Sequence, residues 1–259
     1  TVAWSLNIGS VPVKVELEPV GDYENWMPEL IWGVGNFVRV RAKIVEPAGL
    51  TGKIRFTLED VSREPGVSMN YPFHDREEAP DLFISEMSGS GLNIAEDGQS
   101  AVTLDDVNET EIVLQPRDFG ARGKLSATAT VLAEGKEMEV RAVLKRTGEH
   151  WVSLPLDENR NGIADCWEKA HNIYPCAGDG DDDGEPEGKA SGDGLSAYEE
   201  YRGFFVKGKH KRLDPNRKDL FVYDPDGLAE KAGFGTVTRL AVHYVDPEEG
   251  RCTGTNDRA

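Results

Sequence analysis

The sequence predicts a mainly β chain: a two-sheet sandwich, then a loop-rich unit with short helices. Three observations predict it. Apolar and polar residues alternate in short runs over the first 150 residues, and period two is the signature of half-buried strands. Turn residues separate those runs at short intervals, as in sandwiches. At Trp151 the composition then becomes acidic and Gly-rich, and only two short helical patterns follow.

VPVKVELEP (11–19) alternates cleanly, as does NFVRVRAKIVEP (36–47), which stops at a Pro-Ala-Gly turn. GKIRFTLED (52–60) follows at once. QSAVTLDD (99–106) and TEIVLQP (110–116) are shorter strand candidates. Residues 124–146 read as two long strands about a Glu134-Gly135 turn. The stretch 62–98, rich in Pro, Gly, Ser and acids, reads as a long decorated loop. These elements make residues 1–150 an immunoglobulin (Ig)-like β-sandwich. Residues 151–218 form a second unit, in which ADCWEKAHN and LSAYEEYRGFF are the helical pieces. Residues 219–259 supply C-terminal strands (DLFVYD and TVTRLAVHYVD) and a polar tail.

A formal net charge of −18 repels phosphate backbones and anionic bilayers, so nucleic acid is not expected as a partner. The same charge suits divalent cations. No apolar run is long enough to span a bilayer. No leader pattern is visible, and a start at Thr1 fits one already removed.

The strongest chemical signal is LDENRNGIADCWEKA (156–170). Calcium takes six to eight oxygen ligands, and a loop supplies them when oxygen-bearing side chains stand at alternate positions, a glycine makes the sharp turn and a late Glu closes the site with both oxygens. Asp157, Asn159 and Asn161 occupy positions one, three and five, Gly162 six, Ile163 seven (through its carbonyl), Asp165 nine and Glu168 twelve. Bland alternatives exist for each piece, an Asn-Gly turn and a helix cap, but they do not require the whole register. A second pattern is less regular. Asp193, Gly194, Leu195 and Glu200 match positions five, six, seven and twelve, but position one is Lys189, a cation that cannot ligate. Upstream, Asp179, Asp181 and Asp183 alternate before Gly184. They either join Glu200 around one ion or form a separate half-site, so one to three calcium ions are expected. NRNGIADCWE and SGDGLSAYEE read as a local duplication.

Three motifs in order, LPLDENRNGIADCWE, SGDGLSAYEEYRGFF and HKRLDPNRKDLFVYD, resemble bacterial secreted multidomain proteins. In these an Ig-like domain precedes thrombospondin type 3-like or EF-hand-like calcium loops, and some look like the front portions of zinc metallopeptidases. The resemblance covers about residues 151–245 and implies calcium and an extracellular setting.

Catalysis finds no support in the motifs. None of His74, His150, His171, His210 and His243 forms the His-Glu-x-x-His of a zincin, and Gly-x-Ser-x-Gly and P-loop patterns are absent. His243, in LAVHYV, reads as a strand-face residue. The basic run Lys207, Lys209, His210, Lys211 and Arg212 reads as a solvated hairpin, and Tyr198, Tyr201, Phe204 and Phe205 as core. Cys166 and Cys176 are expected to be bridged in an oxidising compartment, leaving Cys252 over. The expected function is therefore a secreted, calcium-rigidified structural or adhesive protein, with an unidentified protein or glycan at a cell surface as partner. Two alternatives remain: the non-catalytic front of a secreted metallopeptidase, and a filament subunit in which TVAWSLNIGS adds as a strand to a neighbour, by self-association.

Overall fold

The computed structural model describes residues 12–31, 34–72, 79–133, 135–175, 193–238, 240–247 and 249. The expected ligands Asp179, Asp181 and Asp183, the cysteines Cys176 and Cys252, and the TVAWSLNIGS segment lie outside the described residues.

The chain is mainly β, with several sheets. Strand β1 (Lys14–Val20) is followed by a two-residue-a-side hairpin, β2 (Leu30–Ile31) and β3 (Val34–Gly35), and then by β4 (Val38–Glu46) and β5 (Gly52–Glu59). Next come β6 (Leu82–Ile84), β7 (Leu92–Ile94), β8 (Ser100–Thr103), β9 (Glu109–Pro116), β10 (Gly123–Ala133), β11 (Lys136–Arg141), β12 (Val143–Leu144) and β13 (Val152–Leu154). One sheet has the order β12-β1-β4-β9-β6, the other β11-β10-β5-β8-β7, with β13 also paired to β10. Alternation explains the layering. Val38, Val40, Ala42 and Ile44 of β4, Ile54, Phe56 and Leu58 of β5, and Leu125, Ala127, Ala129 and Val131 of β10 are buried in one apolar cluster shared by both sheets. Their neighbours on each strand face outward. Burying each large side chain stabilises the fold by roughly 1.5–3 kcal/mol.

Three features depart from the expectation. The stretch 62–98 is not only loop: β6 joins β9 in one sheet and β7 joins β8 in the other. The strand after Glu134-Gly135 is not one long strand. β11 pairs with β10, and past Ala142 the chain crosses to the other sheet, where β12 runs parallel to β1. The sheets also reach beyond residue 150, because β13 pairs with β10 and its Val152 and Leu154 are fully buried in the shared core.

The rest of the chain packs on the sandwich. Helix α1 (Asp165–His171) and helix α2 (Ala197–Arg202) follow the two predicted loops. Ser196 and Glu199 form a capping box at the start of α2, each satisfying a backbone donor the helix leaves open. Strands β14 (Phe204–Val206) and β15 (Lys209–Lys211) make the expected hairpin, turning at Lys207-Gly208, both with positive φ. Strand β16 (Asp219–Tyr223), helices α3 (Leu228–Lys231) and α4 (Phe234–Thr238), and strand β17 (Ala241–Val245) form a crossover unit in which β16 and β17 are parallel; the start of the expected strand TVTRLAVHYVD is thus helical, since a parallel pair needs a crossover before its second strand.

Two small apolar clusters hold this half. Ile163, Ala164, Trp167, Ala197 and Tyr201 form one, bringing the helices after both loops together. Leu195, Phe204 and Leu213 form the other. The unit therefore has apolar material of its own. Tyr201 and Phe204 are core as expected; Tyr198 and Phe205 are half-buried.

Two arginines dock it. The buried Arg202 guanidinium donates to Asp118 Oδ2 at 2.6 Å from Nη2 and to the carbonyls of Pro65 and Gly66 at 2.8 and 3.1 Å. Arg212 donates to the carbonyls of Pro28 and Phe119 at 2.6 and 3.0 Å, and to that of Tyr201. Burial pushes the Asp118 carboxyl up to about 6, against the opposing pull of Arg202.

Candidate metal centre

The first loop turns as its register requires. Asp157 folds the chain back on itself: its Oδ1 accepts from the Asn161 N–H at 3.1 Å and its Oδ2 from the Gly162 N–H at 2.9 Å. Gly162 has φ +84°, a conformation that β-carbon-bearing residues avoid. Asn161 Oδ1 then accepts from the Ile163 N–H at 2.9 Å, and the Ile163 side chain is fully buried against Trp167 and Tyr201. Packing at the seventh position thus pins the loop to helix α1.

Glu168 is the meeting point. It is fully buried on α1, and Asn159 Nδ2 donates to both its oxygens at 3.1 Å, while Asn161 Nδ2 donates to Oε1 at 2.7 Å. Positions three, five and twelve converge; a half-turn of the Asn159 amide about its last side-chain bond would exchange its nitrogen for an oxygen, whereas the same turn of Asn161 would give up its bond from the Ile163 N–H. Asp165 is engaged elsewhere. Its Oδ1 accepts from the Glu158 N–H at 3.0 Å and its Oδ2 pairs with Lys169 Nζ at 3.2 Å. Burial raises the Asp165 pKa, with those contacts pulling it back. The described residues thus bring together Asn159, Asn161 and Glu168, while Asp157 and Asp165 hold backbone N–H groups of the same loop. Cys166, on α1, is half-buried against the small core, and burial raises its thiol pKa. The expected partner Cys176 lies outside the described residues.

The second loop repeats the device. Gly194 has φ +94°, and Asp193 Oδ1 accepts from the Leu195 N–H at 2.9 Å. Glu200, on α2, is fully buried, like Glu168 on α1. Sequence reasoning missed the third member here. Among the described residues, Asp193, Glu200 and Asp219 form the one set of three acidic, His or Cys side chains able to share an ion, with one ligand oxygen from each within 4.8 Å of the others. Asp219 opens β16 and donates its backbone N–H to Asp193 Oδ2 at 2.6 Å. Its side chain meets His243 Nε2 through Oδ1. The only signal in the sequence was an acid heading an apolar strand, DLFVYD, where an exposed residue is the ordinary reading.

No protein-family model matches the chain, and no curated protein matches it. Among solved structures, the human F-spondin reeler domain aligns at 12% identity with a TM-score of 0.35, covering 60% of this chain and 100% of that one. A Reelin-N domain of F-spondin aligns at 11% and 0.31, covering 53% and 91%. The DNA-binding domain of C. elegans Cep-1 aligns at 9% and 0.28, covering 51% and 90%. At such scores these likenesses carry no argument about fold or function.

Proposed function

We propose that this chain is a secreted calcium-binding structural module, an Ig-like sandwich whose docked second half is rigidified by calcium and which presents an adhesive surface outside the cell. The convergence of Asn159 and Asn161 on the fully buried Glu168 carries the reading. It supplies oxygen-bearing side chains at the spacing of an EF-hand-type loop, around a fully buried carboxylate whose charge a cation would balance. The Ig-like part of the reading draws support from strand order. β1-β4-β9-β6 against β5-β10-β11 is the ABED and CFG order of a seven-stranded immunoglobulin-type sandwich, with β7 and β8 as an insertion that widens the second sheet.

Calcium outside cells is abundant enough to saturate weak structural sites, and a module that folds around its ions draws folding free energy from them. A Cys166–Cys176 bridge belongs to the same proposal. Calorimetric titration of the chelated chain with calcium tests it. Uptake that Glu168→Ala diminishes is the expected result; no uptake, or uptake that Glu168→Ala leaves intact, overturns it.

A further inference from the structure

The structure assigns Asp219 as a calcium ligand that completes the second site from outside its loop, with Asp193 and Glu200 as the other carboxylate ligands. This deepens the function proposed above and rests on it for the identity of the ion, but not for the site.

The second loop is short of ligands by its own sequence, because Lys189 stands where the first ligand belongs. Asp219 meets that deficit. Its side chain is 2% exposed, and its Oδ1 is held by His243. Oδ2 is buried and has no hydrogen-bond partner among the described residues, so it is the oxygen left for a ligand. A buried carboxylate oxygen without a partner is costly. It stands here in a set whose other two members are also carboxylates. Three carboxylates gathered so closely make a favourable place for a cation. An all-oxygen set of high negative charge selects a hard divalent ion, and calcium tolerates an irregular ligand set better than magnesium does.

The surroundings orient Asp219. Lys211 Nζ lies 3.3 Å from His243 Nδ1. An ammonium only donates, so Nδ1 accepts and the imidazole proton sits on Nε2, where it is donated to Asp219 Oδ1. His243 is thus a positioning residue, in the manner of the outer partners that fix metal-bound carboxylates. His243 is on β17, Asp219 on β16 and Glu200 on α2. An ion at this point therefore ties the C-terminal crossover unit to the second loop.

The test counts calcium bound per full-length chain by equilibrium dialysis, with calcium alone as probe and near-ultraviolet circular dichroism as the check on folding. Asp219→Asn should lose one ion. Asp193→Asn, at a half-buried loop position that the fold tolerates more readily, should lose the same ion, and the double variant no more. Glu168→Ala should lose a different ion, additively with Asp219→Asn. If both Asp219→Asn and Asp193→Asn keep the full count, the assignment is overturned. It is also overturned if the two losses add. If Glu168→Ala keeps the full count while Asp219→Asn does not, Asp219 stands and the reading of the first loop fails. A chain that binds no calcium overturns both.

Discussion

Glu168 and Asp165 are both fully buried carboxylates in the first turn of α1, yet their surroundings give them different work. Glu168 gathers the amides of Asn159 and Asn161, whereas Asp165 satisfies the Glu158 N–H and pairs with Lys169. Glu168→Ala should therefore weaken calcium at the first loop at least about tenfold more than Asp165→Ala, a difference of about 1.4 kcal/mol, as read by titration of both variants. Asp165→Ala should instead lower stability by about 1–3 kcal/mol, since it strands a backbone donor. A larger calcium loss from Asp165→Ala would contradict the register. His210 gives a pH-dependent counterpart. It stacks on Phe119 with ring centroids 3.3 Å apart, its Nε2 lies 2.8 Å from the Arg202 carbonyl oxygen, and burial depresses its pKa from 6.5 to about 4. The folded chain thus resists a proton that the unfolded chain accepts. Stability from this group is present above pH 6.5 and is lost as pH falls through about 4, up to roughly 3 kcal/mol. Asp118, whose raised pKa makes the folded chain the better proton binder, acts in the opposite sense between its ordinary 3.8 and about 6. The comparison of the chain with His210→Gln across pH 7 to 4 isolates the histidine: in denaturant titrations the variant should lose less stability on acidification. Equal losses would show that His210 does not titrate as its burial implies.

At the scale of elements, the interface between the halves turns on Arg202, at the end of α2. With Asp118 it forms an ion pair whose side chains are 6% and 1% exposed. Breaking a buried pair on one side leaves a charge in a dry setting, at a cost of roughly 3–5 kcal/mol, while replacing both partners by apolar groups is close to neutral. Arg202→Met should therefore destabilise the chain strongly, and Asp118→Leu in the same background should recover only part of the loss, because the Pro65 and Gly66 carbonyls, Glu64 and the Gly120 N–H still lose a partner, as read by denaturant midpoints. Additive losses would place the effect in packing instead. This interface was illegible in the sequence, because nothing local distinguishes a clamping arginine from a solvated one. Arg212 was read with the exposed basic run for the same reason. Strands β1, β4, β5 and β10 were legible because each buries one face, which imposes period two. β6 and β7 were not: each is three residues long, and the acids and glycines around them dominate the pattern. The crossing at Ala142 escaped because a strand that changes sheets keeps its alternation. The first loop was legible since its candidate ligands all lie within one twelve-residue stretch; Asp219 was not, since it meets Asp193 and Glu200 only through the fold.

For the whole molecule, the two halves rest on different physics. The sandwich has one large apolar core. The second half has two small ones and a set of buried carboxylates, so its stability depends on what neutralises them. Ions that bind the folded but not the unfolded chain add stability in proportion to the logarithm of their concentration over Kd. Removing calcium should therefore loosen one half and spare the other. Hydrogen exchange with and without a chelator, read peptide by peptide, decides this. Chelation should accelerate exchange in α1, α2 and the start of β16, while β4, β5 and β10 keep their protection. Protection in α1 and α2 that is unchanged by chelation, or lost equally in all strands of the sandwich, would contradict it.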